Sequence, residues 1–151
     1  MVLAIRIEKA RKLHYRTDFQ GLPISIENRK GSYRHGTDPD GHEWKNRMDY
    51  AYGYIRLTEG TDGDHLDCYI GPNKQSRRVF IVHQVDPNTK KFDEDKVMLG
   101  FDTAEAAKTA YLAQYDNPGF FGTMEVTDIE KFKAIIDERK GKKLVIAKAV
   151  E

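Results

Sequence analysis

The sequence predicts an α+β fold, in which a small β-barrel has two C-terminal helices packed alongside it. Two observations lead to this prediction. Up to about residue 85, apolar residues alternate in short runs that turn-forming residues interrupt, which is typical of strands. After residue 100 the pattern changes to two longer segments, each of which opens with a helix-capping sequence. Many short strands followed by helices favour a barrel with the helices at one side.

The strands are predicted from alternation and from their content of β-branched and aromatic residues. In L-P-I-S-I-E, every second residue from Leu22 is apolar. V-F-I-V-H-Q-V is the clearest strand, and His83 inside it is expected to be structural. Residues 37–43, T-D-P-D-G-H-E, resemble the start of a calcium loop but lack its later acidic ligands, so we expect a turn there. The predicted strands are residues 22–27, 51–57, 67–70, 79–85 and 96–99.

Two helices are predicted in the last third of the chain. The first begins at the capping box D-T-A-E, with Asp102 as the N-cap, and runs to about Tyr115. The second begins at the box T-D-I-E and runs to about Arg139. Residues 144–150 are predicted as a last strand. The apolar stripe of the second helix consists of Ile129, Phe132, Ile135 and Ile136.

Composition limits the classes of function. A chain of 151 residues suits a single domain, residues 1–151, with a core of useful size. The net charge of +1 gives no electrostatic reason to expect nucleic acid or a membrane as partner, and the apolar runs are too short to span a bilayer. The lone cysteine, Cys68, rules out an internal disulfide and is expected to be buried. We therefore expect a cytoplasmic protein with a small-molecule partner.

Three aspartates stand close together in D-G-D-H-L-D. In an extended segment Asp62 and Asp64 point to the same side, and Asp67 follows three positions later. Converging carboxylates repel one another unless a divalent cation neutralises them. Mg²⁺, with Mn²⁺ as the alternative, prefers such oxygen ligands. Taken alone, the motif is better explained as a solvated acidic turn.

Other charged residues supply what a phosphate-rich substrate requires. D-E-D-K, residues 93–96, is a second acidic cluster, and it ends in a cation. Glu27 ends a strand, where its carboxylate can face the mouth of a barrel. Metal ions bind some phosphate oxygens and cations bind the others, although each basic residue singly also fits a solvated surface. The basic residues upstream are Arg29, Lys30, Arg34, Lys45 and Arg47.

Residues 52–67 resemble the signature of the soluble family I inorganic pyrophosphatases. That signature is D-[SGDN]-D-[PE]-[LIVMF]-D after Y-G-Y-I-P-x-T, and here Y-G-Y-I-R-L-T precedes D-G-D-H-L-D. Weaker matches keep the family's order, at residues 27–34, 94–96 and from Tyr115, so the resemblance covers about residues 22–138. The chain is also similar to pyrophosphatase-like domains of bacteriophage polyvalent proteins, which suggests a phage or prophage origin in a bacterial host.

The resemblance implies Mg²⁺-dependent hydrolysis of a phosphoanhydride, with inorganic pyrophosphate as the expected substrate, on a five-stranded OB-type barrel. It implies that two metal ions activate the attacking water, that Asp62 and Asp67 bind metal with Asp67 bridging the two ions, and that Asp64 orients or deprotonates this water. The other acids that it implies are Glu27 near the metals, Asp93 or Glu94 as a further ligand, and Asp86. The phosphate ligands that it implies are Arg34, Tyr52, Lys96 and Tyr115, with Lys45 or Arg47 as a second basic ligand.

The sequence departs from the family pattern at three positions. His65 stands where proline or an acid is usual, Arg34 stands where lysine is usual, and Asp116 replaces the lysine after Tyr115. An acid that faces phosphate would repel it. Two alternatives therefore stay open: a catalytically weak or inactive pyrophosphatase-like binding or delivery module of a phage, and a hydrolase of a nucleotide polyphosphate. Bacterial proteins of this fold are often hexamers, so a homo-oligomer also stays open.

Overall fold

A computed structural model of the chain describes residues 14–56 and 65–138. The predicted last strand, residues 144–150, and residue 139 lie outside this part of the chain. In it, neither helix is long and apolar enough to cross a bilayer. The elements are β1 (Tyr15–Phe19), β2 (Leu22–Asn28), β3 (Tyr33–Thr37), β4 (Glu43–Arg47), β5 (Ala51–Arg56), β6 (His65–Ile70), β7 (Arg78–Val85), β8 (Phe92–Leu99), α1 (Ala104–Leu112), a 3₁₀ turn (Pro118–Phe120), β9 (Phe121–Asp128) and α2 (Ile129–Glu138).

Seven of these strands form one sheet, in the order β1-β2-β5-β6-β8-β7-β9. β6 and β8 are parallel, and the other neighbours are antiparallel. β3 and β4 form a separate two-stranded hairpin. The α+β class is confirmed, with a seven-stranded sheet where five strands were expected. Among the described strands, β1 and β9 are the two edge strands of this sheet and do not pair with each other. The OB-type barrel therefore stays a prediction.

Both faces of the sheet are apolar, and each face is covered by one helix. Val79 and Ile81 of β7 belong to the core cluster that includes Phe132 of α2. Phe80 and Val82 belong to a second cluster with Tyr111 of α1. Because successive strand residues point to opposite faces, α1 and α2 lie on opposite sides of the sheet. The expectation that both helices pack at one side is corrected, since the run V-F-I-V buries both of its faces.

The helix caps differ by one residue from the predicted capping boxes. The hydroxyl of Thr103 accepts a hydrogen bond from the backbone N–H of Ala106, so Thr103 is the N-cap of α1 and Asp102 is not. Asp128 accepts a hydrogen bond from the backbone N–H of Lys131 at the start of α2. After Leu112, tighter backbone bonds end α1 before the predicted boundary.

Gly53 lies where β2 bends across β5. The register between these strands shifts between Ile26 and Asn28. A Cβ atom at Gly53 would lie 1.9 Å from the backbone oxygen of Ser25, a distance that no side chain tolerates. The glycine of the Y-G-Y-I run is therefore required for close approach of the two backbones.

Gly53→Ala should lower the free energy of unfolding by about 2–3 kcal/mol, because the new methyl group has to push two backbones apart. Urea unfolding, followed by circular dichroism, measures the change. Val126→Ala on the edge strand β9 is the control, since Val126 is 60% exposed, and it should change stability by less than about 0.5 kcal/mol. Equal midpoints for Gly53→Ala and wild type would contradict the close approach.

Candidate functional site

Four side chains that the sequence predicted for the site meet at the ammonium of Lys96. Lys96 Nζ lies 2.8 Å from Asp67 Oδ2 and 2.5 Å from Glu94 Oε1. It also donates to the hydroxyl oxygen of Tyr52 at 2.8 Å. The Tyr52 hydroxyl in turn donates to Asp67 Oδ2 at 2.8 Å. We call these four residues the Lys96 cluster.

The register of three adjacent strands brings the Lys96 cluster together. Asp67 on β6 is the direct partner of Lys96 on the parallel strand β8. Glu94 lies two residues before Lys96 and so points to the same face. Tyr52 on β5 pairs with Tyr69, which is two residues after Asp67. All four side chains therefore project from the sheet face that α1 covers.

Burial is graded across the cluster. The side chain of Lys96 is 3% exposed, that of Asp67 is 23% exposed and that of Glu94 is 44% exposed. The cation therefore lies at the bottom, and the two carboxylates extend from it toward solvent. Such a buried ammonium is stable only with anionic and hydrogen-bonding partners around it.

The ionisation of the cluster follows from this arrangement. Burial alone would raise the pKa of Asp67, but the charge of Lys96 and the hydrogen bonds from Lys96 and Tyr52 lower it to about 2. Burial raises the pKa of Glu94 and, with the negative charge of Asp67, outweighs the attraction of Lys96. Burial would lower the pKa of Lys96, yet Tyr52, Asp67 and Glu94 raise it well above its usual range. Asp67 and Lys96 are thus both charged at neutral pH.

Arg34 and Tyr115 approach the same region from other elements. The guanidinium carbon of Arg34 lies 4.5 Å from the ring centre of Tyr52 and 5.3 Å from that of Trp44. Burial works against its charge, but Tyr52 and other neighbours raise the pKa of Arg34. The ring of Tyr115 packs on Tyr111 with 4.5 Å between centroids. The structure thus places a cation and a further phenol beside the cluster.

Two predicted basic ligands are not brought to the Lys96 cluster. In the β3–β4 hairpin, Arg34 faces inward, whereas Lys45 and Arg47 lie on the opposite, exposed face. The ammonium of Lys45 lies over the ring of Tyr33 at 4.4 Å. Arg47 forms an exposed ion pair with Asp49 at 3.6 Å. The hairpin therefore directs Arg34 to the site and these two cations away from it.

The remaining predicted acids have different positions. Asp93 is exposed, and its Oδ2 accepts a hydrogen bond from Gln84 at 3.0 Å. Glu27 is half-buried, at the register shift of β2. Asp86 lies in the turn between β7 and β8, where Oδ1 accepts from the backbone N–H groups of Asn88 and Thr89. The carboxylates that form the ion pairs given above with Lys96 are those of Asp67 and Glu94.

Asp62 and Asp64 lie outside the described residues. The strands on either side of them are paired as far as Arg56 opposite His65. The ring of His65, the residue that departs from the family motif, packs on Tyr54 with 4.7 Å between centroids. The other departure, Asp116, is exposed.

A hydrogen-bonded chain that sequence reasoning missed links α1 to the acidic run of β8. Tyr111 donates to Gln84 Oε1 at 2.7 Å, and Gln84 Nε2 donates to Asp93. Both Tyr111 and Gln84 are buried. The only sequence signal was a glutamine that follows a histidine inside a mostly apolar strand. Trp44, which packs beside Arg34, was missed as well.

The turn predicted at residues 37–43 is confirmed as the tip of the β3–β4 hairpin. Asp38 Oδ1 accepts hydrogen bonds from the backbone N–H groups of Asp40 and His42. Ligand atoms of these three side chains lie within 4.8 Å of one another. The carboxylate of Asp38 is thus already used as a hydrogen-bond acceptor within the turn.

Most of the chain matches the sequence model of a known family. A sequence model described as inorganic pyrophosphatase matches residues 7–137. The matched range contains every residue predicted for the site. Comparisons with curated proteins and with solved structures give no match.

Lys96→Met should lower the free energy of unfolding by about 3 kcal/mol, because it leaves Asp67 and Glu94 without their shared cation. We expect the low end of the range for a broken buried ion pair, since Asp67 is partly exposed. Urea unfolding without divalent metal measures the loss. Lys131→Met, on the exposed side of α2, is the control and should be neutral. If both variants unfold at the wild-type urea midpoint, then Asp67 and Glu94 do not depend on the charge of Lys96, which would contradict this prediction.

Proposed function

Because the chain belongs to the inorganic pyrophosphatase family, we propose that it hydrolyses a phosphoanhydride, with inorganic pyrophosphate as substrate and Mg²⁺ as cofactor. The observation that supports this most is the meeting of Asp67, Glu94 and Tyr52 at Lys96. This meeting combines acidic oxygens for a metal with donors for phosphate.

The donor set fits a hard divalent cation. Asp67 and Glu94 offer oxygens only, and both side chains extend toward solvent. We assign Asp62, Asp67 and Glu94 as the metal ligands, and we keep Asp93 and Glu27 as candidates for further ions. Mg²⁺ or Mn²⁺ in such a site lowers the pKa of water and screens the negative charge of phosphate. A thiolate-preferring or imidazole-preferring metal does not suit this set.

The protein's own residues then have separate tasks. Lys96 and Tyr52 hold Asp67 in its ionised form, as the pKa of about 2 indicates, and their hydrogen bonds to Oδ2 fix its orientation. Asp64 takes the proton from the attacking water. Arg34 donates to the phosphate that leaves, which offsets the negative charge that develops there.

Tyr115 supplies a further hydrogen-bond donor for phosphate in this proposal. Its aromatic contact with Tyr111 fixes the ring at the end of α1. Asp116 follows it, and because Asp116 is exposed, the replacement of lysine removes a cation without burying an acid. We therefore expect weaker phosphate binding than a lysine at position 116 would give.

Wild-type protein should release phosphate from pyrophosphate only with Mg²⁺ or Mn²⁺, and Asp67→Asn should lower kcat at least about 100-fold. A colorimetric phosphate assay measures both effects. Asp137→Asn, an exposed carboxylate of α2, is the matched control and should keep full activity. Phosphate release from a nucleoside triphosphate alone would favour the nucleotide polyphosphate hydrolase. No metal-dependent release from any phosphoanhydride would overturn the proposal and favour the binding module.

Arg34→Gln should raise KM for pyrophosphate about tenfold or more, since it removes a charge-assisted hydrogen bond to phosphate. The matched controls lie on the other face of the same hairpin. Lys45→Gln and Arg47→Gln remove the same charge from exposed positions and should change KM less than about twofold. A larger effect of either control than of Arg34→Gln would assign the second basic ligand to that residue.

A further inference from the structure

A buried polar pair lies on the sheet face opposite the Lys96 cluster. His83 on β7 is the direct cross-strand partner of Asp95 on β8. His83 Nδ1 and Asp95 Oδ1 are 2.6 Å apart, a short hydrogen bond in which the imidazole N–H donates and the carboxylate accepts. The two side chains are only 9% and 1% exposed. The cross-strand positions that follow on this face are apolar, namely Val79, Ile81, Val97 and Leu99.

Stability alone does not account for a polar pair in this place. A buried imidazole and carboxylate lose their hydration, and their mutual attraction only about repays that cost. Apolar residues of similar volume, such as the neighbouring pair Ile81 and Val97, bury without such a cost. The best-attested advantage of a buried polar pair is that it permits one alignment of two elements and penalises the others.

The pair stands close to the end of the regular pairing between β7 and β8. The register between β7 and β8 shifts directly after Gln84, so that Asp93 is an extra residue on β8. The register between β7 and β9 shifts directly after His83. Regular pairing of β7 with β8 ends with Gln84 opposite Glu94, directly after the pair of His83 and Asp95. His83 and Asp95 thus form the last cross-strand side-chain pair on their face before both irregularities.

Asp95 stands between the two β8 residues of the Lys96 cluster. Because side chains alternate along a strand, a shift of β8 by one residue would turn Glu94 and Lys96 to the face that α2 covers. It would at the same time pull Asp95 away from His83 and leave a buried carboxylate without this donor. The register of β8 that keeps Asp95 hydrogen-bonded to His83 is therefore the same register that places Glu94 and Lys96 on the face of Asp67.

We propose that His83 and Asp95 are positioning residues whose hydrogen bond fixes the register of β8 and so holds Glu94 and Lys96 in the site. The consequence for metal binding and hydrolysis rests on the function proposed above. The register itself is independent of that function and is measured separately.

The test compares an apolar pair with a pair that keeps the donor. His83→Leu combined with Asp95→Val should unfold at a urea concentration no lower than the wild-type one. It should weaken Mg²⁺ binding, measured by calorimetry, about tenfold, as loss of a supporting hydrogen bond does at other metal sites. Amide hydrogen exchange at residues 94–97 should become at least tenfold faster. His83→Asn, whose amide can donate from nearly the same place, should restore slow exchange and metal affinity.

The control exchanges two apolar partners on the same face. Ile81→Val with Val97→Ile keeps the volume of the pair and should leave exchange and metal binding unchanged. Wild-type exchange rates at residues 94–97 in the apolar double variant would overturn the proposal. An apolar double variant that does not fold would overturn it too, since the pair would then serve stability. If wild type binds no Mg²⁺, the proposed function fails. The exchange rates alone then test whether the pair of His83 and Asp95 fixes the register of β8.

Discussion

The buried ammonium of Lys96 is the constraint on which the rest of the site depends. A lysine that is 3% exposed requires anionic partners, and the structure supplies Asp67 and Glu94. Glu94 lies two residues away on the same strand, but Asp67 can reach Lys96 only if β6 and β8 are parallel neighbours in the observed register. The pKa of about 2 for Asp67 is the electrostatic result of that register. The order of the central strands and the ionised state of a proposed metal ligand therefore have one cause.

Much of the central sheet follows from sequence patterns. Alternation and β-branched residues predicted β2, β5, β6 and β7, because these strands contribute buried apolar side chains to the core. The edge strands were missed for the opposite reason. β1 is exposed at four of its five positions, and β9 is half-buried or exposed throughout, so neither has a regular apolar alternation. The strand count was too low because an edge strand needs only one partner and little burial.

The sequence predicted those site residues whose spacing and strand face are both determined by a single motif. Tyr52 and Asp67 lie in the recognised signature, and Lys96 pairs with Asp67 directly. The choice between Asp93 and Glu94 was open in the sequence, since adjacent residues look alike until the register is known. In the structure Glu94 pairs with Lys96, whereas Asp93 accepts a hydrogen bond from Gln84.

The sequence also did not predict which face of the β3–β4 hairpin turns inward. Both faces of that hairpin carry polar residues, so the pattern does not say which one turns toward the sheet. Only Arg34 among the basic residues of its two strands contacts Tyr52. The packing of a cation on an aromatic ring, together with the contact between Asn46 and Gln114 at the end of α1, selects the face.

The central claim is that the Lys96 cluster forms one side of a divalent metal site. A crystal structure grown with Mn²⁺ tests it most directly, because the anomalous signal of manganese locates the ion without reference to activity. The account predicts an anomalous peak coordinated by oxygens of Asp67 and Glu94. A peak confined to Asp38, Asp40 and His42 at the hairpin tip, where side-chain ligand atoms also lie close together, would contradict it.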